Sequence, residues 1–299
     1  MKIIKLNKKH YKINGGSKYF IDCSVSDSNY IIPTDFLKNT RDISILKAVI
    51  NYSKFIKKNK HIVIKIAHKD KTNKKEYDIS EKLKTINGFI KYTCLFNCFD
   101  DTFNYIDINK QIPEKICTAE NKNDYNNNIL IAPYINLGSI RNYKWTLENI
   151  YILKSLLKQC VISLMEAYIN YGFLHNDLHL DNILFKKTKM ENIKYKDIEL
   201  KSEGYKIVIM DFDSSFIGVD INKEIQIYWN DLYNVFCRIK FDLIKIIIPI
   251  NNNIILNILE YNISKSINPN KTLDLLELID KLEFSLPKST PLKYNPNVF

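Results

Sequence analysis

Arginine is nearly absent: Arg41, Arg141 and Arg238 are three of 44 basic residues in a 299-residue chain. The net charge of +11 is therefore carried almost wholly by lysine. With Asn and Ile also abundant, this points to an AT-rich coding sequence more than to a surface selected for basicity. Nucleic acid is not an expected partner, although a field of this sign attracts phosphorylated or acidic ones. Long apolar runs are missing too. Ile246–Ile250 is followed by three asparagines and falls far short of the ~20 residues that cross a bilayer. The first residues, Met1-Lys2-Ile3-Ile4-Lys5, lack an apolar signal core, so no membrane span and no secretion are expected. Cysteine is sparse: six in all, with Cys94 and Cys98 four apart and no second pair. That pattern excludes a disulfide scaffold and a four-cysteine zinc site, and it fits reduced thiols in a cytoplasmic compartment.

What remains is ordinary for a globular protein, 45% apolar and 26% charged, long enough for one large domain or two lobes. The chain is organised around residues 171–185. There His175, Asp177 and Asn182 form H-x-D-x-x-x-x-N, and the apolar strand Ile207–Met210 later runs into Asp211-Phe212-Asp213. Upstream, His61-Ile62-Val63-Ile64-Lys65-Ile66 is a β-branched strand with a lysine inside it, which needs a partner if buried. The next helix, Lys74 to Lys84, offers Glu76, with Glu81 as the fallback. Apolar residues from Ile150 to Met165 at three- and four-residue spacing predict a long helix over 147–171 that Gly172 closes. Around Ile43, Leu46, Ile50 and Phe55 the same spacing predicts a helix inserted within residues 27–60. Residues 186–205 are lysine-rich and predict a solvated hairpin or loop.

In order and spacing these motifs resemble the protein-kinase-like superfamily over about residues 60 to 240. The lysine-rich composition and the departures from the usual pattern resemble the divergent serine/threonine kinases of large DNA viruses. The resemblance implies an α+β, bilobal fold, with a strand-rich N-lobe over 1–135 and a helical C-lobe over 136–299. It implies ATP and Mg²⁺ as cofactors and γ-phosphate transfer to Ser/Thr hydroxyls of a protein substrate. Catalysis would fall to Asp177 as acceptor of the hydroxyl proton, with Asn182 and Asp211 as metal ligands. Lys65 and Glu76 would position the nucleotide phosphates. Gly15 and Gly16, ahead of an alternating run, stand where a phosphate-covering turn belongs, although G-x-G-x-x-G is absent. Ala132-Pro133-Tyr134 leads into Gly138-Ser139 as a hinge does, with Tyr134 beside the adenine.

Four departures qualify the likeness. Asn176 replaces the Arg of H-R-D, which in the family holds a phosphorylated activation loop. Asp231, in a stretch resembling the helix whose Asp anchors the catalytic loop, follows Asp211 by only twenty residues, without A-P-E between them. Constant activity in the cytoplasm, or in the host cytoplasm or virion if viral, is the resulting expectation. Asp213 replaces the glycine of D-F-G, which would restrain the metal turn. His179 stands where Lys is usual, as in haspin-like kinases and small-molecule phosphotransferases of the same fold. Those enzymes, and a non-catalytic pseudokinase scaffold, are the alternative readings. A metal site on His175 and His179 is not expected; His175 should turn inward and orient the loop.

Overall fold

The computed structural model describes residues 31–39, 43–50, 60–67, 72–97, 128–146, 148–195 and 198–220, with Asp231, Val235, Leu276, Ile279 and Asp280. The chain divides into two compact units, with boundaries at Glu81/Lys82, Ile90/Lys91 and Tyr134/Ile135. Helix and sheet are mixed, and the N-terminal region is strand-rich.

The first unit is built on a five-stranded antiparallel sheet. Its strands are β1 (Ile31–Asn39), β2 (Ile43–Ile50), β3 (Lys60–Ala67), β4 (Cys94–Asn97) and β5 (Asn128–Pro133), in the order β1-β2-β3-β5-β4. The β-branched run of β3 earns the central place: Ile62, Ile64 and Ile66 alternate onto one buried face. Lys65 lies on the opposite face, level with Ile45 on one neighbour and Leu130 on the other. The helix expected around Ile43, Leu46 and Ile50 is β2, a strand paired with β3 along its whole length. Leu46 shares its face with Ala48, whereas Ile43, three residues earlier, falls on the other face, so the helical spacing does not carry over to the strand; Phe55 lies outside the described residues. The ladder to β3, with Leu46 and Ala48 buried, decides between helix and strand. Helix α1 (Thr72–Leu83) buries Asn73, Glu76, Ile79, Ser80 and Leu83, a single face at three- and four-residue spacing.

In the second unit the central element is α2 (Ile150–Tyr171), with thirteen buried residues including Leu153, Leu156, Leu157 and Leu164. Each such leucine contributes roughly 1.5–3 kcal/mol on burial. Fully buried Gln159 ties α2 to β9 (Tyr205–Ile209): Nε2 donates to Tyr205 O and Oε1 accepts from Ile207 N, both at 3.1 Å. Strand β6 (Ile183–Lys187) pairs antiparallel with β9. Within 186–205, β7 (Asn192–Tyr195) and β8 (Ile198–Lys201) form an antiparallel pair. The turn after α1 joins this unit through Ile90 N to Ile209 O (2.8 Å) and Ile209 N to Gly88 O (2.7 Å).

Helix α2 ends as its sequence dictates. Gly172 adopts a left-handed conformation, φ 56°, and its N–H bonds to Tyr168 O. A Cβ here would lie 2.4 Å from Val219 O, whereas one on Gly138, φ 72°, would meet nothing within 4 Å. Gly138→Ala is therefore expected to cost only the left-handed backbone term, about 1–2 kcal/mol. Gly172→Ala should cost more, because Val219 is backbone and must shift. Denaturant midpoints of the two variants check the order.

Candidate active site

In the first unit, the partner of Lys65 is Glu76. The Lys65 ammonium bonds to Glu76 Oε1, and the carboxylate is fully buried. Its second oxygen accepts from Tyr92 Oη at 2.7 Å. Asn73 Nδ2 donates to Lys65 O at 3.0 Å, and Ser80 Oγ accepts from Tyr92 N at 3.2 Å, so α1 side chains hold the backbone at Lys65 and at Tyr92. Nothing in the local sequence marked Tyr92, which lies sixteen residues beyond Glu76. Tyr134 sits at the end of β5, its N–H on His61 O at 3.4 Å and the Lys47 ammonium 4.8 Å from its ring centroid. Gly15 and Gly16 lie outside the described residues.

In the second unit, the turn from His175 to Leu178 is wound around Asp231. The Asp231 carboxylate accepts the N–H groups of His175 (3.0 Å), Asn176 (3.0 Å) and Leu178 (3.4 Å). Burial pushes this carboxyl above its usual range, against the opposing pull of His175 and these N–H groups. Asn176 takes φ 61° and Asp211 φ 69°. Left-handed backbone is tolerated best by Gly, Asn and Asp, so these residue types suit their places. Asp177 follows with its side chain 54% exposed and open to solvent.

Asn182 links the two motifs. Its Nδ2 donates to Asp177 O (3.0 Å), while its carbonyl accepts from Met210 N (3.0 Å), one residue before Asp211. Met210 O is held in turn by His175 Nε2 at 3.0 Å. A carbonyl only accepts, so Nε2 carries the proton. His175 does turn inward, edge-on to Phe173 and Phe212 at 6.2 and 5.9 Å. Phe212 is fully buried among Phe89, Phe173 and His175, which pins the residue after Asp211. Residues 214–219 then run antiparallel to 171–176. Phe216 and Leu174 exchange two bonds at 2.8 and 3.0 Å, Gly218 N bonds Tyr171 O at 2.8 Å, and Ser215 Oγ bonds His175 O at 3.0 Å.

Two oxygen donors, Asn182 Oδ1 and the Asp211 carboxylate, suit a hard cation that keeps its other places for water and phosphate oxygens, as Mg²⁺ does. With Asn182 Nδ2 committed to Asp177 O, the amide oxygen has no hydrogen-bond partner among the described residues. No group of three or more His, Cys, Asp or Glu side chains is placed for a metal among the described residues. His175 and His179 bond to Met210 O and Asp181 N respectively, which gives them separate tasks.

No family model matches the chain. Curated relatives match in part. A probable serine/threonine-protein kinase of Dictyostelium discoideum is 30% identical over 124 residues, 36% of this chain and 10% of that protein. Serine/threonine-protein kinase haspin of Mus musculus is 31% identical over 85 residues, 27% of this chain and 11% of its own. Haspin of Bos taurus is 28% identical over 118 residues, 36% and 14% respectively. The chain spans about a tenth of the length of the curated relatives it matches. It is similar in part to serine/threonine kinases, which supports a kinase-like transferase. These relatives come from a slime mould and from mammals, so the viral likeness rests on composition and motif departures alone. No helix among the described residues is long and apolar enough to cross a membrane.

Removing one member of a buried ion pair strands the other charge at a cost of about 3–5 kcal/mol, while apolar replacement of both is close to neutral. Glu76→Ala should therefore lose more stability than the double variant Lys65→Met/Glu76→Leu. Chemical denaturation checks this; equal losses would mean that Lys65 finds another partner.

Proposed function

We propose that the chain is an ATP- and Mg²⁺-dependent protein kinase that transfers the γ-phosphate to Ser or Thr hydroxyls of a protein substrate. On this reading the fold is bilobal, the first unit serving as the N-lobe and the second as the C-lobe. The observation that carries the proposal is the double bond pattern of Asn182, which fixes Asp177 through its side chain and the Asp211 turn through its carbonyl. A proton acceptor and a cation ligand held to one residue are what phosphoryl transfer requires. Mg²⁺, when bound by Asn182 and Asp211, offsets negative charge on the phosphate oxygens. Lys65, paired with Glu76, would offset charge on the α- and β-phosphates, and Tyr134 would stand beside the adenine. Asp177 orients the acceptor hydroxyl. The acceptor oxygen bonds to the γ-phosphorus as the bond from that phosphorus to the β–γ bridging oxygen breaks. The hydroxyl proton passes to an Asp177 carboxylate oxygen, and ADP leaves.

Activity on this account needs no phosphate on the segment after Asp211. Main-chain bonds from 216–219 to 171–174 already hold that segment, and neutral Asn176 contacts Ser214 O at 3.5 Å. A second reading, transfer to a small hydroxylated metabolite, is favoured by the short Asp211-to-Asp231 spacing and by His179.

With γ-labelled ATP, Mg²⁺ and a mixture of casein and histones, the wild-type chain should label protein Ser and Thr. Asp177→Asn should lower the rate by about 10²–10⁴-fold, the usual worth of a general base. An undiminished rate in that variant would overturn the assignment. Wild-type protein made without other kinases and treated with phosphatase should keep its activity. A large loss, restored by autophosphorylation between Asp211 and Asp231 (Ser214, Ser215 or Tyr228), would show a switched segment.

A further inference from the structure

His179 is half-buried beside Asp177, and its ring is held from one side. Asp181 N donates to His179 Nδ1 at 3.3 Å, so the side chain caps the short 3₁₀ turn Leu180–Asn182. A ring nitrogen that accepts a hydrogen bond carries no proton. The network therefore assigns the neutral ring its hydrogen on Nε2. The Asp181 carboxylate, 3.6 Å from Nδ1, would otherwise favour a proton there. That same oxygen is engaged by Arg141 Nε at 3.2 Å, which offsets its charge. The opposite nitrogen, Nε2, lies 3.9 Å from Asp177 Oδ2. This is longer than a hydrogen bond, a gap of the kind that closes when the reactants are in place.

We propose that His179 is a positioning residue for the transfer reaction, its Nε2–H directed at Asp177 by the Asp181 N–H bond and the Arg141–Asp181 pair. The inference rests on the reading of Asp177 as the proton acceptor. A donor on one carboxylate oxygen turns the other toward the acceptor hydroxyl and limits the rotamers of an exposed side chain. Lysine at this position would bring a mobile point charge on a flexible stem. The capped imidazole brings one fixed donor whose direction is set by the loop itself.

Two conservative variants separate this role from simple capping. Asn at 179 places an acceptor where Nδ1 stands and keeps the cap, but removes the donor toward Asp177. Gln reaches to where Nε2 stands and restores a donor, but gives up the cap. With γ-labelled ATP and casein, His179→Asn should reduce kcat about tenfold, the low end for one hydrogen bond to a charged group. Its KM for ATP and its thermal midpoint should stay unchanged. His179→Gln should recover most of the loss. An Asn variant as active as wild type, or a Gln variant no better than Asn, would overturn the proposal. Absence of labelling by the wild type would instead overturn the kinase reading, before any variant is compared. The ring arrangement is judged separately by ¹⁵N NMR: a neutral Nε2–H tautomer is expected, and a neutral Nδ1–H tautomer would overturn it.

Discussion

Three backbone N–H groups in four residues converge on one buried carboxylate, Asp231. A turn that aims this many donors inward would leave them unsatisfied without an acceptor at its centre, and each unmet donor costs of order 1–3 kcal/mol. The acceptor makes the left-handed Asn176 tenable and fixes where Asp177 emerges. From that turn the constraints propagate by main-chain bonds, Asn182 to Met210 and Leu174 to Phe216, and by the His175 ring on Met210 O. Burial works against the Asp231 carboxylate, and His175 and the three N–H groups work for it.

The first unit solves a similar problem with a different pair. Lys65 is buried on β3, opposite the face of Ile62, Ile64 and Ile66, and a buried ammonium needs a partner. Glu76 is supplied by α1, and Tyr92 satisfies its remaining oxygen. A pair of this kind contributes little net stability compared with an apolar substitute. Its retention in a β-branched core fits a task for the ammonium, and phosphate positioning is the task proposed.

Much of this was legible because it is local. H-x-D-x-x-x-x-N and the strand before Asp211 are short-range patterns whose bonds span few residues or one strand pair. Helix α2 and the Gly172 stop follow from spacing, and β3 from its β-branched run. The likeness of the Asp231 stretch to an anchoring helix agrees with the three N–H groups that its carboxylate accepts. The inserted helix failed for an equally physical reason: three apolar residues at helical spacing inside an apolar run do not exclude a strand, and the ladder to β3 selects it. Tyr92 on Glu76 and Arg141 on Asp181 join residues sixteen and forty apart, and no periodicity announces such contacts.

The proposed reaction is transfer of phosphate from ATP to a protein hydroxyl. Its most direct test is to offer the purified chain γ-labelled ATP and Mg²⁺ with protein and metabolite acceptors in one mixture, then locate the label by mass spectrometry. The account predicts phosphoserine and phosphothreonine on protein. Label confined to small molecules, or no transfer at all, would contradict it.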